Sequence, residues 1–409
     1  MSSRLSAARR THLTIMVAAL GYFVDVFDIQ LFGIVRVPSL QSLGLTPDQI
    51  TLTGAHLLNW QMAGMLLGGL LWGVLGDKKG RIYVLFGTIL LYSLGNIANA
   101  FVTTIPAYAA ARFFTGLGLA GEIGAGITLA TELMPRQTRG YATVLIAIFG
   151  TMGPVAGSLV ANALDWRWAY AGGGAMGLLL LLLRVSVHES GMFAALSRQS
   201  AVRRGQFHAL FRDRKRMFRY LNCIFLGLPI WFTIGIIVIF SPELGGDLGT
   251  DEPLKAAASM IGFFVGQTLG GMVAGLLSQF FRNRRQVIAV FIAGTAVTTY
   301  ILLATTGISA SGFYALIMLT GFFCGYWGLF LTVAAECFGT NMRTTATATV
   351  ANFVRGSVII DTFLVTSLKP SFGFITSVGV AGGLCLALAL LAIWCLPETF
   401  TRDLDYVEH

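Results

Sequence analysis

Charged residues are scarce in this 409-residue sequence, at 11% of the chain, against about a quarter in an ordinary soluble protein. Hydrophobic residues make up 55% of it, which excludes a water-soluble globule. Apolar runs of about 20 residues, the length that crosses some 30 Å of hydrocarbon, recur along the whole chain. The composition therefore predicts an all-α integral membrane protein that crosses the bilayer many times.

The sequence also lacks the patterns of the common enzyme classes. It has no phosphate-binding glycine loop, histidine cluster, Ser/His/Asp set or attached ATP-binding domain, and its five cysteines lie in or beside apolar runs without metal-site spacing. We therefore expect no enzyme activity, no metal and no cofactor, with energy supplied by an ion gradient, most simply of protons. The net charge of +9 could indicate a nucleic-acid partner, but the cations lie in short connections between apolar runs. The predicted partners are a small-molecule substrate and the lipid bilayer.

Twelve of the apolar runs are long enough to span a membrane. They begin near residues 13, 49, 82, 105, 141, 168, 218, 254, 287, 312, 344 and 372. The longest polar segment separates the sixth run from the seventh and is rich in arginine. We predict an N-terminal six-helix bundle at 1–186, a basic cytoplasmic linker at 187–217, and a C-terminal six-helix bundle with a short cytoplasmic tail at 218–409.

Two motifs recur about 200 residues apart, which indicates a tandem duplication. The glycine pairs are offset by 202 residues and the acid–base pairs by 204. The matched residues are Gly69 with Gly271, Gly73 with Gly275, Glu132 with Glu336, and Arg139 with Arg343. Parallel repeats of this kind place a substrate site between the halves, near the middle of the membrane. The predicted architecture is two pseudo-symmetric six-helix bundles.

Positive charge is distributed unevenly between the two sides of the predicted membrane. Of the 28 Lys and Arg residues, 22 fall on the side that holds both chain ends and the central linker, and four fall opposite. Those four are Arg36, Arg167, Lys255 and Lys369. The positive-inside rule then predicts that both termini are cytoplasmic, in an inner membrane. We expect the chain to function as a monomer, because the pathway would lie between its own halves.

Several segments resemble signature motifs of the major facilitator superfamily. They are Gly73-x-x-Gly76-Asp77-Lys78-x-Gly80-Arg81, Arg112-x-x-x-Gly116-x-Gly118, Glu132…Pro135…Arg139-Gly140 and the closing Pro397-Glu398-Thr399. The resemblance covers essentially the whole chain, and it implies the twelve-helix major facilitator fold and transport by alternating access. It also implies a link to proton movement for the arginine at position 112.

The first run carries two carboxylates, Asp25 and Asp28, three residues apart. This spacing puts them on one face of a helix, and their cost in lipid predicts that they face an interior cavity. Two carboxylates close together in a medium of low dielectric constant suit proton loading and release; the alternative is a fixed pair with a buried arginine. The Asp-x-Phe-Asp segment resembles the first helix of aromatic-acid:proton symporters, although Val26 stands where that branch usually has glycine.

Other ionisable side chains inside apolar runs are candidates for the chemistry. In the fourth run, Arg112 and Glu122 are assigned to proton coupling, with packing as the alternative for Arg112. In the eleventh run, Arg355 is the candidate clamp for an anionic substrate, since a guanidinium binds a carboxylate through two hydrogen bonds. The alternative is that Arg355 pairs internally with Asp361 or Asp28.

The remaining candidates are substrate contacts and gates. Predicted substrate-binding residues are Tyr22, Asp28, Asn59, Trp231, Gln267, Tyr326, Trp327, Arg355 and Asp361. Predicted gating residues, which would form charge networks at helix ends in one state and lose them in the other, are Asp77, Lys78, Arg81, Glu132, Arg139, Glu336 and Arg343. Packing or anchoring at the membrane interface is the competing interpretation for each aromatic residue.

These features favour a proton-coupled symporter of a small organic acid, with an aromatic acid as the narrower expectation. The alternative is a proton-driven antiporter that exports an amphipathic, cationic or metal-bound compound. It is suggested by Gly150-Thr-Met-Gly153-Pro154-Val-Ala-Gly157, which partly resembles the glycine-proline motif of antiporters in the superfamily. A receptor or channel of the same shape is a third class, but the sequence carries no large folded extension.

Overall fold

The structure is a computed structural model that describes residues 2–79, 81–121, 139–184, 207–339 and 342–400. Within these ranges the chain is all-α, with twelve long helices. Helices 1 to 6 are Ser2–Ser42, Pro47–Lys79, Arg81–Ala100, Ile105–Leu119, Arg139–Ala163 and Trp166–Arg184. Helix 7 is Arg214–Phe232 with its continuation Thr233–Val238, followed by the short helix Ser241–Leu248. Helices 8 and 9 are Ala256–Phe281 and Arg284–Ala304.

Helices 10 and 11 each consist of two pieces. Helix 10 is Ala310–Phe323 and Trp327–Glu336, joined by the turn Cys324–Tyr326; helix 11 is Arg343–Gly356 and Val358–Phe372; and helix 12 is Phe374–Cys395. Eight of the described spans are long and apolar enough to cross a membrane by length and composition. The observed helices begin within four residues of the predicted starts, except that helix 1 begins at Ser2. No proline or glycine interrupts Ser2–Leu20, so the helix extends into the polar N-terminal segment.

The two halves repeat the same packing. Helix 1 packs on helix 5, helix 2 on helix 4 and helix 3 on helix 6; in the second half, helix 7 packs on helix 11, helix 8 on helix 10 and helix 9 on helix 12. Glycines set the closest of these approaches. A side chain at Gly64 would collide with the Phe113 carbonyl of helix 4, and one at Gly266 would collide with the Met318 carbonyl of helix 10. These two glycines are 202 residues apart, which is the offset of the sequence motifs.

The halves meet along two seams. In the first, helix 2 packs on helix 11, where Gly69 faces Asn352, Leu66 covers Gly356, and Thr362 donates a hydrogen bond to Asn59 at 2.8 Å. In the second, helix 5 packs on helix 8, where the hydroxyls of Thr151 and Thr268 are 2.6 Å apart. Small side chains let membrane helices approach closely. The seams therefore hold the halves together on either side of a central region.

The connections after helices 1, 3, 5, 7, 9 and 11 gather at one end of the bundle, which we call the distal end. Arg167, at the start of helix 6, donates to the Ala100 carbonyl at 2.8 Å, and Gly307 donates to the Leu248 carbonyl at 2.8 Å. The opposite end is called proximal. There Glu398 of the Pro-Glu-Thr segment accepts hydrogen bonds from the backbone N–H groups that begin helix 9. Burial alone would raise the pKa of Glu398, but backbone N–H donors at Arg285, Phe400, Arg284 and Thr399 lower it.

Candidate functional site

Three helices of the second half are irregular near the middle of the bundle. Helix 7 widens into a π-helical turn at Thr233–Val238, helix 10 tightens into a 3-10 turn at Cys324–Tyr326, and helix 11 is broken at Ser357. Such breaks often mark functional sites, and in transporters they line the binding region. Trp231, Trp327 and Arg355 each lie within two residues of a break. The breaks thus bring these three side chains to the interface between the halves.

Arg355 is the centre of this cluster. Its Nη2 atom lies 3.9 Å from Oδ2 of Asp25 in helix 1, so the ion pair joins the two halves. The guanidinium carbon lies 5.4 Å from the centre of the Trp231 ring. Arg355 is 2% exposed, and its Nε and Nη1 atoms have no hydrogen-bond partner within the described part of the chain. Arg355 therefore has N–H groups that could donate hydrogen bonds to a substrate carboxylate.

Aromatic side chains surround the ion pair. Trp327 donates from its indole nitrogen to the Tyr22 hydroxyl at 3.2 Å, again from one half to the other. The rings of Trp231 and Trp327 meet edge to face at 6.5 Å. Tyr22 itself packs against Gly150 of helix 5, where a side chain would overlap its ring. A buried cation among aromatic rings is suited to a planar anion.

The second carboxylate of helix 1 has neighbours within the first half. Asp28 is fully buried, and Arg112 and Asn96 are its neighbours on helices 4 and 3. Gly173 of helix 6 leaves room for its Oδ1 atom. Arg112 is also fully buried and lies between the rings of Phe32 and Tyr170, at 5.3 Å and 5.5 Å. The structure thus places an arginine near each aspartate of helix 1: Arg355 forms an ion pair with Asp25, and Arg112 lies within electrostatic range of Asp28.

Four predicted substrate-binding residues have other contacts. Tyr326 donates its hydroxyl hydrogen to the Leu226 carbonyl at 3.1 Å. Asp361 accepts from the Cys385 thiol at 3.3 Å; it is six residues from Arg355, which places it on a different face of helix 11. Asn59 accepts from Thr362 in the seam between helices 2 and 11, and Gln267 is buried in helix 8. Among the described candidates, Tyr22, Trp231, Trp327 and Arg355 contact one another or Asp25.

For most of the predicted gating residues, the structure does not describe the side chain. Glu132, like the coupling candidate Glu122, lies outside the described residues, and for Asp77, Arg81, Arg139 and Arg343 only the backbone is described. Lys78 is exposed. Glu336 forms an ion pair with Arg284 at the start of helix 9. This pair is contained within the second half and does not by itself connect the halves.

The distal end carries an ion pair that sequence reasoning missed. Arg36 of helix 1 is fully buried, and its Nη1 atom lies 2.7 Å from Oε1 of Glu243 in the short helix after helix 7. Arg36 also donates to the Ile239 carbonyl at 3.2 Å, and its guanidinium lies 4.4 Å from the Phe240 ring centre. Thr51 of helix 2 donates to the same glutamate at 3.2 Å. The sequence signal for this ion pair is the position of Arg36, which is one of only four Lys and Arg residues predicted on the side opposite the termini.

Comparisons with known proteins identify the family and the fold. A protein-family model described as the Major Facilitator Superfamily matches residues 18–261 and 223–404. A Bacillus subtilis protein named as a niacin/nicotinamide transporter is 26% identical, over 95% of this chain and 96% of its own length. The 3-(3-hydroxy-phenyl)propionate transporter of Escherichia coli is 27% identical, over 78% of this chain and 79% of its own. A crystal structure of a D-xylose-proton symporter shares the fold, with a TM-score of 0.70 at 19% identity, covering 95% of this chain and 98% of that one.

Proposed function

The chain belongs to the major facilitator superfamily, and from this premise we propose that it transports a small organic acid with an aromatic ring in symport with protons. It is a multi-pass membrane transporter and not an enzyme. The observation that carries the proposal is the Asp25–Arg355 ion pair, which crosses the halves among the rings of Tyr22, Trp231 and Trp327.

The substrate class follows from the donors and the rings. Arg355 offers N–H groups in the fork geometry that matches a carboxylate. The surrounding aromatic faces favour a flat, partly apolar body over a sugar or a peptide. The names of two relatives specify niacin or nicotinamide and a hydroxyphenylpropionate as their cargo. Niacin and hydroxyphenylpropionate are both ring-bearing carboxylic acids.

Coupling to protons follows from competition for Arg355. When the substrate carboxylate binds Arg355, Asp25 loses the cation that lies 3.9 Å from it. A buried carboxylate that loses a nearby cation favours its neutral form more strongly. Asp25 then takes up one proton for each anion bound, and it releases that proton when the anion leaves and the ion pair re-forms. Asp28, beside Arg112, is the second proposed proton carrier.

Alternating access would be governed at the two ends of the bundle. The Arg36–Glu243 pair joins the two halves at the distal end and is proposed as the distal gate, and the charged motifs around Asp77 and Glu132 are proposed to govern the proximal end. By the distribution of cations, we place the distal end outside the cell and both termini in the cytoplasm, in the inner membrane, with the monomer as the functional unit. The ion gradient, with protons as the coupling ion, is the proposed energy source.

Export of a cationic or amphipathic compound by proton antiport is the second candidate. Among the described residues, the buried aspartates Asp25, Asp28 and Asp361 outnumber the buried arginines of the central region, Arg112 and Arg355. An excess of acidic groups would tolerate a positively charged cargo. The glycines of helix 5 that suggested this class pack against helix 1, at Tyr22 and at the Phe23 backbone.

Uptake by purified protein in liposomes separates the two candidates. With an inward proton gradient, we expect accumulation of radiolabelled niacin or 3-(3-hydroxyphenyl)propionate that a protonophore abolishes. Asp25→Asn and Asp28→Asn should each remove the accumulation, because neither amide can carry a proton. Asp165→Asn, at an exposed distal carboxylate, is the matched control and should transport normally. Expulsion of a preloaded cationic dye by the same gradient, without uptake of either acid, would support the antiporter instead.

A further inference from the structure

We propose that the hydroxyl groups of Ser39, Tyr108 and Tyr170 form a proton relay from the distal surface to Asp28, separate from the route of the substrate. The proposal deepens the proposed function, on which its role in symport rests. It concerns how protons reach a carboxylate that is fully buried.

The three hydroxyls form a connected line inside the first half. The hydroxyl oxygens of Tyr108 and Tyr170 are 2.8 Å apart, and the Tyr108 hydroxyl donates to Oγ of Ser39 at 3.2 Å. All three side chains are fully buried. They come from helices 1, 4 and 6. A line of hydroxyls that are each both donor and acceptor can pass a proton along its length.

The outer end of the line lies one helical turn from solvent. Ser39 donates to the Arg36 carbonyl at 3.0 Å, and Ser42, the last residue of helix 1, is exposed. Ser42 donates to the Ser39 carbonyl at 2.8 Å and accepts from the Trp166 indole at 3.0 Å. This tip of helix 1 therefore places a polar, water-facing group beside the first relay hydroxyl.

The inner end reaches the surroundings of Asp28. Tyr170 lies beside Arg112 and within electrostatic range of Asp28. The charged and titratable neighbours of Asp28 are Asp25 on its own helix, Arg112 on helix 4 and Tyr170 on helix 6, with Asn96 the polar neighbour on helix 3. Neither carboxylate oxygen of Asp28 has a hydrogen-bond partner within the described part of the chain. Gly173, one helical turn after Tyr170 on helix 6, adjoins the Oδ1 atom of Asp28, so this part of helix 6 faces the carboxylate. No direct hydrogen bond joins Tyr170 to Asp28 within the described residues, and the last transfer therefore requires the two side chains to approach each other.

The substrate route does not provide this access in the distally closed state. Arg36 of helix 1 contacts Glu243, Phe240 and the Ile239 carbonyl at the distal end of helix 7, which links helices 1 and 7 across the substrate route. The hydroxyl line instead runs behind helix 1, among helices 4 and 6 of the same half. A proton could then equilibrate between the distal solution and Asp28 while the substrate stays enclosed.

The step conserves every atom of the relay. A proton from distal water binds the Ser39 oxygen as the Ser39 hydroxyl hydrogen passes to Tyr108. The Tyr108 hydrogen passes to Tyr170, and the Tyr170 hydrogen forms the new O–H bond on Asp28. The relay ends with the same number of protons, and rotation of the hydroxyls resets it.

The test measures protonation of Asp28 directly, with the proton as the probe. In the full chain reconstituted in liposomes, a downward pH jump on the distal side is followed by time-resolved infrared spectroscopy of the protonated carboxyl band. The part of that band that Asp28→Asn removes reports Asp28. Ser39→Ala, Tyr108→Phe and Tyr170→Phe should slow its rise by about tenfold or more. The final amplitude should be unchanged, because the phenyl rings preserve the packing.

Tyr220→Phe is the matched control. Tyr220 is a buried tyrosine of the second half whose hydroxyl donates to Thr349 at 2.8 Å, so its loss should leave the rate at the wild-type value. Equal rates in the wild type and the relay variants would overturn the relay, as would a wild type with no band that Asp28→Asn removes. If protonation slows as expected but neither acid accumulates in the uptake assay, the relay stands and the proposed function fails.

Discussion

Arg355 is a charged side chain buried in the membrane interior, where the dielectric constant is low and each of its partners matters. It is 2% exposed, and its contacts with Asp25 and Trp231 come from different helices. A buried charge of this kind persists only with a partner, so exchange of Asp25 for a substrate carboxylate is the least costly change available to it.

We predict that Arg355→Lys weakens the binding of an aromatic carboxylate such as niacin by about tenfold, or about 1.4 kcal/mol. A lysine keeps the charge but cannot form the two parallel hydrogen bonds of the guanidinium. Isothermal titration on purified protein measures the change. Arg167→Lys is the control, because Arg167 binds backbone carbonyls at the distal end. Unchanged affinity in Arg355→Lys would rule Arg355 out as the clamp.

At this scale the sequence indicated which residues are costly in a membrane but not which of them meet. Asp25, Asp28, Arg112 and Arg355 were all singled out as ionisable groups inside apolar runs. For Arg355 the sequence leaves open a substrate clamp and a pair with Asp361 or Asp28, and for Asp25 it allows a pair with an unspecified buried arginine. The structure pairs Asp25 with Arg355. Partners that are 330 residues apart in sequence depend on how helices 1 and 11 rotate, and that rotation is set by packing.

At the scale of elements, the breaks in helices 7, 10 and 11 matter most. Their positions were not predicted, because Thr233–Val238 and Cys324–Tyr326 contain no proline to mark them. The short helix Ser241–Leu248, which carries Glu243, was also missed. Its eight residues include a proline, two glycines and two acidic residues, a composition that favours a loop over a helix.

The Arg36–Glu243 pair yields a prediction about the distal closure. Glu243→Gln would leave Arg36 buried without a counter-ion, a loss of about 3–5 kcal/mol for a buried pair, so the distal end should open more often. In a Cys395→Ser background, spin labels at the exposed Thr46 and Glu252 would show a new population at longer distance by pulsed electron resonance. Asp247→Asn, an exposed carboxylate in the same short helix, should leave the distances unchanged. A wild-type distribution for Glu243→Gln would contradict the assignment of this pair as a closure.

At the scale of the whole molecule, the duplication was the most informative signal. The offset of 202 residues read from Gly69 and Gly271 also relates Gly64 to Gly266, and each of that pair faces a backbone carbonyl of the partner helix. A glycine required by a backbone contact leaves a trace in sequence. A contact between side chains, such as that of Tyr22 with Trp327, leaves none.

The sidedness of the molecule gives a prediction at the same scale. In a Cys395→Ser background, a cysteine at Thr46 should react with a membrane-impermeant maleimide in intact cells, because the distal end is placed outside. A cysteine at His208, exposed just before helix 7, should react only after the cells are permeabilised. The opposite pattern would reverse the assigned orientation.

The two seams also affect which compounds can reach the binding region. Helices 2 and 11 meet at Gly69 and Gly356, and helices 5 and 8 meet at paired threonines, so close contacts separate the central region from the surrounding lipid at both of these positions. We therefore expect the substrate to enter the binding region from water and to be released into water. A molecule that dissolves in the acyl chains would have no sideways entry at these seams, whereas a soluble ring-bearing acid would need none.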